Sequence, residues 1–170
     1  MIKGRVWKYE KNVDTDVIYP GRYLVHFDPV EVAKHAMEGI DSEFASKVKL
    51  GDIIVAGENF GTGSAREQAA MTLKFAGLGA IIADSFSRTF YRNAINNGLP
   101  VISLKGVSLE IKEGDVVEID LEKGEIKNLS SGKELFTSPV PKFIREILAV
   151  GGAIPYYQAK LKEQDIHGHK

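Results

Sequence analysis

The sequence predicts an α/β fold, and three observations carry that prediction. Short apolar runs bounded by glycine or proline recur in the first two thirds of the chain, within "GDIIVAGENF", "GAIIADSF" and "LPVISL". They are apolar at successive positions instead of alternating, as expected of parallel strands covered on both faces. The segments between them, "SAREQAAMTLKFAG" and "SRTFYRNAINNG", carry apolar residues at helical spacing, which gives a β-α-β-α-β core.

From the N-terminus, "IKGRVWKYE" alternates weakly and reads as a strand. "KNVDTDVIYPGRY" follows as an ordered loop, marked by Asp14, Asp16, Pro20 and Gly21. In "DPVEVAKHAMEG", Asp28 can cap a helix, Pro29 suits its first position, Glu31 stands three residues after the cap and Gly39 stops it. The run Ile53 to Ala56 is the next strand. Ala69, Leu73 and Ala76 then line one side of a helix, and Phe90, Ala94 and Ile95 one side of another. From Ser108 to Phe136 the pattern becomes β-type alternation broken by Glu113-Gly114, Lys123-Gly124 and Ser131-Gly132, which predicts antiparallel hairpins. "SPVPKFIREILAVGGAIPYYQAKLKEQ" predicts two helices parted by Gly151-Gly152, with Pro141 and Pro155 in first turns. One domain over residues 1–170 is expected, with a polar, frayed tail at 161–170.

Composition narrows function. With 22 basic and 23 acidic residues, mixed along the chain, there is no electrostatic footprint for nucleic acid or an anionic membrane. The absence of cysteine excludes disulfides, thiolate zinc sites, a cysteine nucleophile and cysteine ligands to an iron–sulfur cluster. No metal site is expected. No run approaches the ~20 apolar residues of a membrane span, and "MIKGRVWKYE" lacks the apolar core of a signal peptide. A cytoplasmic protein is expected.

The most informative stretch is "ENFGTGSARE", residues 58–67. Three readings stay open from its spacing. Ser64 and Glu67 form a capping-box pattern, with Gly61 and Gly63 serving a tight turn. The turn also begins like a dinucleotide loop, but Arg66 occupies the third glycine's place, where a large side chain hinders helix–strand packing. Thirdly, a helix N-terminus presents free N–H groups and positive potential. Ser64 there could act as a base while Arg66 holds a carboxylate with two parallel hydrogen bonds.

The stretch "GENFGTGSAREQAAMTLKFAGLGAIIADSFSRTFYRNAINNGLPVI", together with "NVDTDVIYPGRYL" upstream, resembles the swivelling domain of the aconitase superfamily, and within it the stand-alone small subunits of the 3-isopropylmalate dehydratase and homoaconitase families. The resemblance implies a swivelling β/β/α domain, with a parallel βαβαβ core and added hairpins. It implies a hydro-lyase subunit that is inactive alone and pairs, as heterodimer or heterotetramer, with a large subunit carrying a [4Fe–4S] cluster. By the resemblance Ser64 is the catalytic base, and Arg66, with Gly63 and Ala65, binds a small hydroxy-dicarboxylic acid. Thr15 and Asp16 support the same site, or merely stabilise a turn. Two departures from aconitases proper are Ala65, which removes a second hydroxyl, and Gln68.

The resemblance places substrate choice in Tyr23, Leu24, Val25 and His26. Homoaconitase-like chains have an arginine at the position of Val25; apolar Val25 favours an isopropyl group over a carboxylate, hence 2-isopropylmalate and leucine biosynthesis. Arg22 or His26 reaching a further carboxylate would instead favour homoaconitate, and a non-catalytic small-acid or RNA-binding module is the distant alternative. His35 reads as structural or solvated, His167 and His169 as tail residues, and Phe86, Phe90 and Tyr91 as core.

Overall fold

The first strand, β1 (Ile2–Tyr9), sits at the centre of a seven-stranded sheet of order β4-β3-β2-β1-β5-β6-β7 and faces partners of opposite sense. Its second half pairs parallel with β2 (Ile53–Ala56), in the register Val6↔Ile53 to Tyr9↔Ala56. Its first half pairs antiparallel with β5 (Val116–Asp120), Ile2 opposite Ile119. In this computed structural model, which describes residues 1–167, the sheet is therefore mixed. The parallel part continues through β3 (Ala80–Ala83) and β4 (Val101–Ser103), and the antiparallel part through β6 (Glu125–Asn128) and β7 (Glu134–Phe136).

Successive strand residues point to opposite faces, and here both faces are apolar. Ile54, Ala56, Ile81 and Ala83 join one core with Leu73, Phe90 and Ala94, under α4 (Glu67–Phe75) and α5 (Arg88–Asn96). Ile53, Val55, Ala80 and Ile82 join a second with Val6, Val117, Ile119 and Ile126, because the antiparallel half curls over that face. Ile53, Ile54, Ile81 and Ile82 are fully buried, each contributing ~1.5–3 kcal/mol by leaving water. The α/β class, the βαβαβ core and the added hairpins are as the sequence implied.

Two elements differ from expectation. The helix expected over 28–39 is only α2 (Pro29–Ala33). Asp28 caps it as expected, accepting from Val30 and Glu31 N–H. It ends early because long-range partners take its backbone: Met37, at φ +59°, donates to the Ile18 carbonyl and Gly39 to that of Val17. These carbonyls lie at α1 (Thr15–Ile18), one turn inside the expected loop, which is followed by a 3₁₀ turn, Gly21–Tyr23. A short helix α3 (Phe44–Lys47) precedes β2. Secondly, Ser108–Glu110, expected as strand, belongs to the one-turn helix α6 (Val107–Glu110). The Asp84 carboxylate at the end of β3 fixes it, accepting from Ser108 N at 3.1 Å and Ser108 Oγ at 2.9 Å. The two C-terminal helices form as expected. Past α7 (Lys142–Ala149), Gly151 and Gly152 make the break at positive φ, and α8 runs over Ala153–His167. Residues 168–170, with His169, lie outside the described residues.

Candidate active site

The turn between β2 and α4 lies beyond the carboxyl ends of the parallel strands, where open α/β sheets bind ligands. There the order of β1, β2 and β3 persists as single bridges, Asp14 with Thr62 and Phe60 with Phe86. Gly61 passes so close to Phe90 that a Cβ would lie 2.2 Å from the ring, and its φ is +78°. Its N–H donates to the Val13 carbonyl, and its carbonyl accepts from Ser87 Oγ at 2.6 Å. At Gly63, φ +92°, a Cβ would meet the Asp14 carboxylate at 2.3 Å. Both glycines are thus required by close approach as well as by conformation.

Ser64 is held by its backbone. Its carbonyl accepts from Thr15 Oγ1 at 2.9 Å and from Arg66 N at 2.8 Å, while its side chain is exposed. The capping-box reading does not hold: α4 starts at Glu67, and its N-cap is Arg66, with no side-chain cap bond. The two donors on the Ser64 carbonyl set the turn before the helix begins, so the hydroxyl is not spent on helix N–H groups. Among the described residues no side chain caps that terminus, where first-turn N–H groups carry positive potential.

Arg66 has a mostly covered side chain, 19% exposed, and its Nη1 lies 2.5 Å from Asp16 Oδ1 and 3.3 Å from the Tyr19 carbonyl. A Cβ added at Gly21 would lie 3.4 Å from the same guanidinium. Asp16, itself bonded through its N–H to the Asp14 carboxylate at 2.7 Å, therefore aims Arg66. Thr15 is buried, its N–H on the Thr62 carbonyl and its hydroxyl on that of Ser64. The upstream segment and the glycine turn are one unit. Gly63, Ser64 and Ala65 are exposed along it.

The Tyr23–His26 segment borders this unit through Tyr19 and Gly21. The Tyr23 carbonyl accepts from His26 N at 3.0 Å, which closes a turn with Val25 77% exposed near its tip and Leu24 half-buried. Arg22 does not point free: its Nη2 pairs with Glu38 Oε1 at 2.7 Å. His35, read from sequence as structural or solvated, stacks on the Tyr23 ring with centroids 3.5 Å apart. Glu38 binds His35, Arg22 and Tyr23 together. Burial alone would raise its carboxyl, but hydrogen bonds from Tyr23, His35 and Arg22 outweigh that and hold it below the ordinary glutamate range. Sequence reasoning missed Glu38; its spacing of three from His35 was the one available signal. Of the aromatics expected in the core, Phe90 is buried and Phe86 half-buried, but Tyr91 is exposed.

The chain has no cysteine, and among the described residues no three His, Asp or Glu side chains converge as metal ligands. This chain therefore offers no ligand set for an iron–sulfur cluster.

Fold and turn together define a domain class. The family described as the aconitase C-terminal domain matches residues 6–106, which take in the glycine turn and strands β2 to β4, and the chain belongs to that family. Within it, the chain's place is among the small subunits of 3-isopropylmalate dehydratase. It is 55% identical over 163 residues to the isopropylmalate/citramalate isomerase small subunit of Methanocaldococcus jannaschii, covering 96% of this chain and 97% of that one. It is 56% identical over 157 residues to 3-isopropylmalate dehydratase small subunit 1 of Thermotoga maritima, covering 92% and 94%. A crystal structure of 3-isopropylmalate dehydratase from Methanocaldococcus jannaschii superposes with a TM-score of 0.91 at 51% identity, covering 98% of each chain.

Proposed function

We propose that the chain is the small subunit of a heteromeric hydro-lyase that converts 2-isopropylmalate to 3-isopropylmalate by dehydration and rehydration, a step of leucine biosynthesis, and that it works only with a large subunit. The names and close identity of its relatives support this reading. The cluster implied for such enzymes belongs, on this reading, to the large subunit.

The observation that carries the role of this chain is the exposed Ser64 hydroxyl on a backbone pinned from two sides, two residues before a covered arginine. Dehydration removes a proton from the carbon beside a carboxylate and a hydroxyl from its neighbour, leaving a double bond. Rehydration returns them exchanged. Arg66 and the first-turn N–H groups of α4 bind that carboxylate and stabilise the charge that builds on it as the proton leaves. Ser64 takes the proton. A helix terminus contributes up to ~2 kcal/mol, about one and a half pKa units, which is too little alone to make a serine hydroxyl basic. The Arg66 charge and the exclusion of water by the assembled partner supply the rest. Asp16 keeps Arg66 aimed until substrate arrives.

Val25 then meets the third arm of the substrate. With Arg22 engaged by Glu38, no arginine of the 20–27 segment stands free to meet a further carboxylate, which favours isopropylmalate over homoaconitate. A second reading is favoured by the Methanocaldococcus relative, whose name includes citramalate: a methyl substituent also suits an apolar wall, with less area covered.

The test is reconstitution with the large subunit under anaerobic conditions, followed by assay of 2-isopropylmalate, citramalate, homocitrate and citrate side by side. Isopropylmalate is expected to have the highest kcat/KM, and Val25→Arg to shift preference toward homocitrate by roughly tenfold or more. Preference of the unmodified enzyme for a tricarboxylic acid would contradict the reading.

A further inference from the structure

Glu38 lies outside the glycine turn and outside the Tyr23–His26 segment, yet both of its oxygens are committed to that neighbourhood. Oε1 accepts from Tyr23 Oη at 2.6 Å and from Arg22 Nη2 at 2.7 Å. Oε2 lies 2.6 Å from His35 Nδ1. The His35 ring lies flat on that of Tyr23, 12° from parallel, and the Arg22 guanidinium sits over the same ring at 4.7 Å. An exposed ion pair holds a loop weakly, and Arg22 is 64% exposed. Tyr23 and His35 change that balance, because both are half-buried and each closes a contact with Glu38 as well as with the other ring.

The Tyr23 backbone is tied independently. Its carbonyl accepts from Tyr19 Oη at 2.9 Å, and the Tyr19 carbonyl in turn accepts from Arg66. The turn carrying Val25 is therefore anchored on one side through Tyr19 to the carboxylate-binding arginine, and on the other through side chains to Glu38. We infer that Glu38 is a positioning residue for substrate selection, which by binding Arg22, Tyr23 and His35 together fixes the turn that presents Val25. This rests on the proposed role of that turn in a hydro-lyase. Glu38 touches no substrate; it removes the freedom of the turn that does, and so lowers the ordering cost of binding without entering the chemistry.

The experiment compares Glu38→Leu and Glu38→Gln in the reconstituted two-subunit enzyme. Glu38→Leu is expected to raise KM for 2-isopropylmalate about fivefold or more, to leave kcat within about twofold, and to erode the isopropylmalate-to-citramalate ratio of kcat/KM by a similar factor. Glu38→Gln keeps an acceptor for Tyr23 and Arg22, and neutral His35 can exchange the roles of its ring nitrogens. It should therefore restore KM and the ratio to within about twofold of the unmodified enzyme. A KM and ratio unmoved by Glu38→Leu overturn the inference, as does a loss confined to kcat. If Glu38→Leu does not assemble, Tyr23→Phe, which deletes one of the three donors, is read for a KM rise of about two- to threefold, and no rise overturns it. If the unmodified enzyme prefers a different acid of the panel, the same ratios are read between that acid and its nearest analogue. The substrate assignment then fails while the test of Glu38 stands. Amide exchange on the free subunit gives an activity-independent check: Glu38→Leu should speed exchange at 22–26 and leave 67–75 unchanged, and equal protection at 22–26 counts against the inference.

Discussion

The glycine turn at 58–66 and the turn at 21–26 border the same arginine but are built in different ways. The first is held by backbone. Gly61 and Gly63 sit where only hydrogen fits, and the Ser64 carbonyl is gripped by Thr15 and Arg66. The second closes a backbone turn on the Tyr23 carbonyl, but its Arg22 and Tyr23 side chains are held by side chains arriving from Glu38 and His35, on the chain beyond α2. Backbone clamping fixes a reacting group closely and tolerates little substitution where a Cβ would clash. Side-chain anchoring fixes a binding wall more loosely and lets its outward residue vary without disturbing the anchor. The division matches the tasks proposed: a serine that must be placed for proton transfer, and a valine that sorts substituents.

That contrast can be broken at its stiffest point first. Gly61→Ala forces a left-handed alanine against Phe90, itself locked in the Phe60–Phe86–Phe90 cluster. The expected cost is about 4 kcal/mol or more, read as a large fall in the urea midpoint, whereas a loss under ~1 kcal/mol would show that the turn yields. Thr15→Val sharpens the comparison. It keeps shape and deletes the hydroxyl on the Ser64 carbonyl, so stability should drop ~1 kcal/mol and kcat roughly tenfold with KM unchanged. An unaltered kcat would mean that the Arg66 N–H holds Ser64 by itself.

The same contrast explains what could be read from sequence. Gly61, Gly63, Ser64 and Arg66 lie within six residues, and glycines at a strand-to-helix turn announce a backbone device. Ile53–Ala56 and Ala80–Ala83 were legible because strands buried on both faces need no alternation. Asp28 and Pro29 marked a helix start correctly, since capping is local. Its end was not legible, because Met37 and Gly39 donate to Ile18 and Val17, some twenty residues upstream. At α6, apolar Leu109 and Ile111 alternate with Ser108 and Glu110 as in a strand, while the contact that decides the matter comes from Asp84. Glu38 fails for the same reason: its partners Arg22 and Tyr23 are distant in sequence, and no local rule joins them. The capping-box reading of Ser64 and Glu67 erred by taking a local rule where Thr15, forty-nine residues away, sets the geometry.

On the proposed mechanism Ser64 contributes chemistry and not structure. Ser64→Ala in the two-subunit enzyme tests it most directly, with kcat for 2-isopropylmalate, subunit assembly and melting measured on one preparation. A fall in kcat of about 10³-fold or more is expected, with assembly intact and stability within ~0.5 kcal/mol of the unmodified chain. A variant that assembles and turns over at a rate near that of the unmodified enzyme would contradict it.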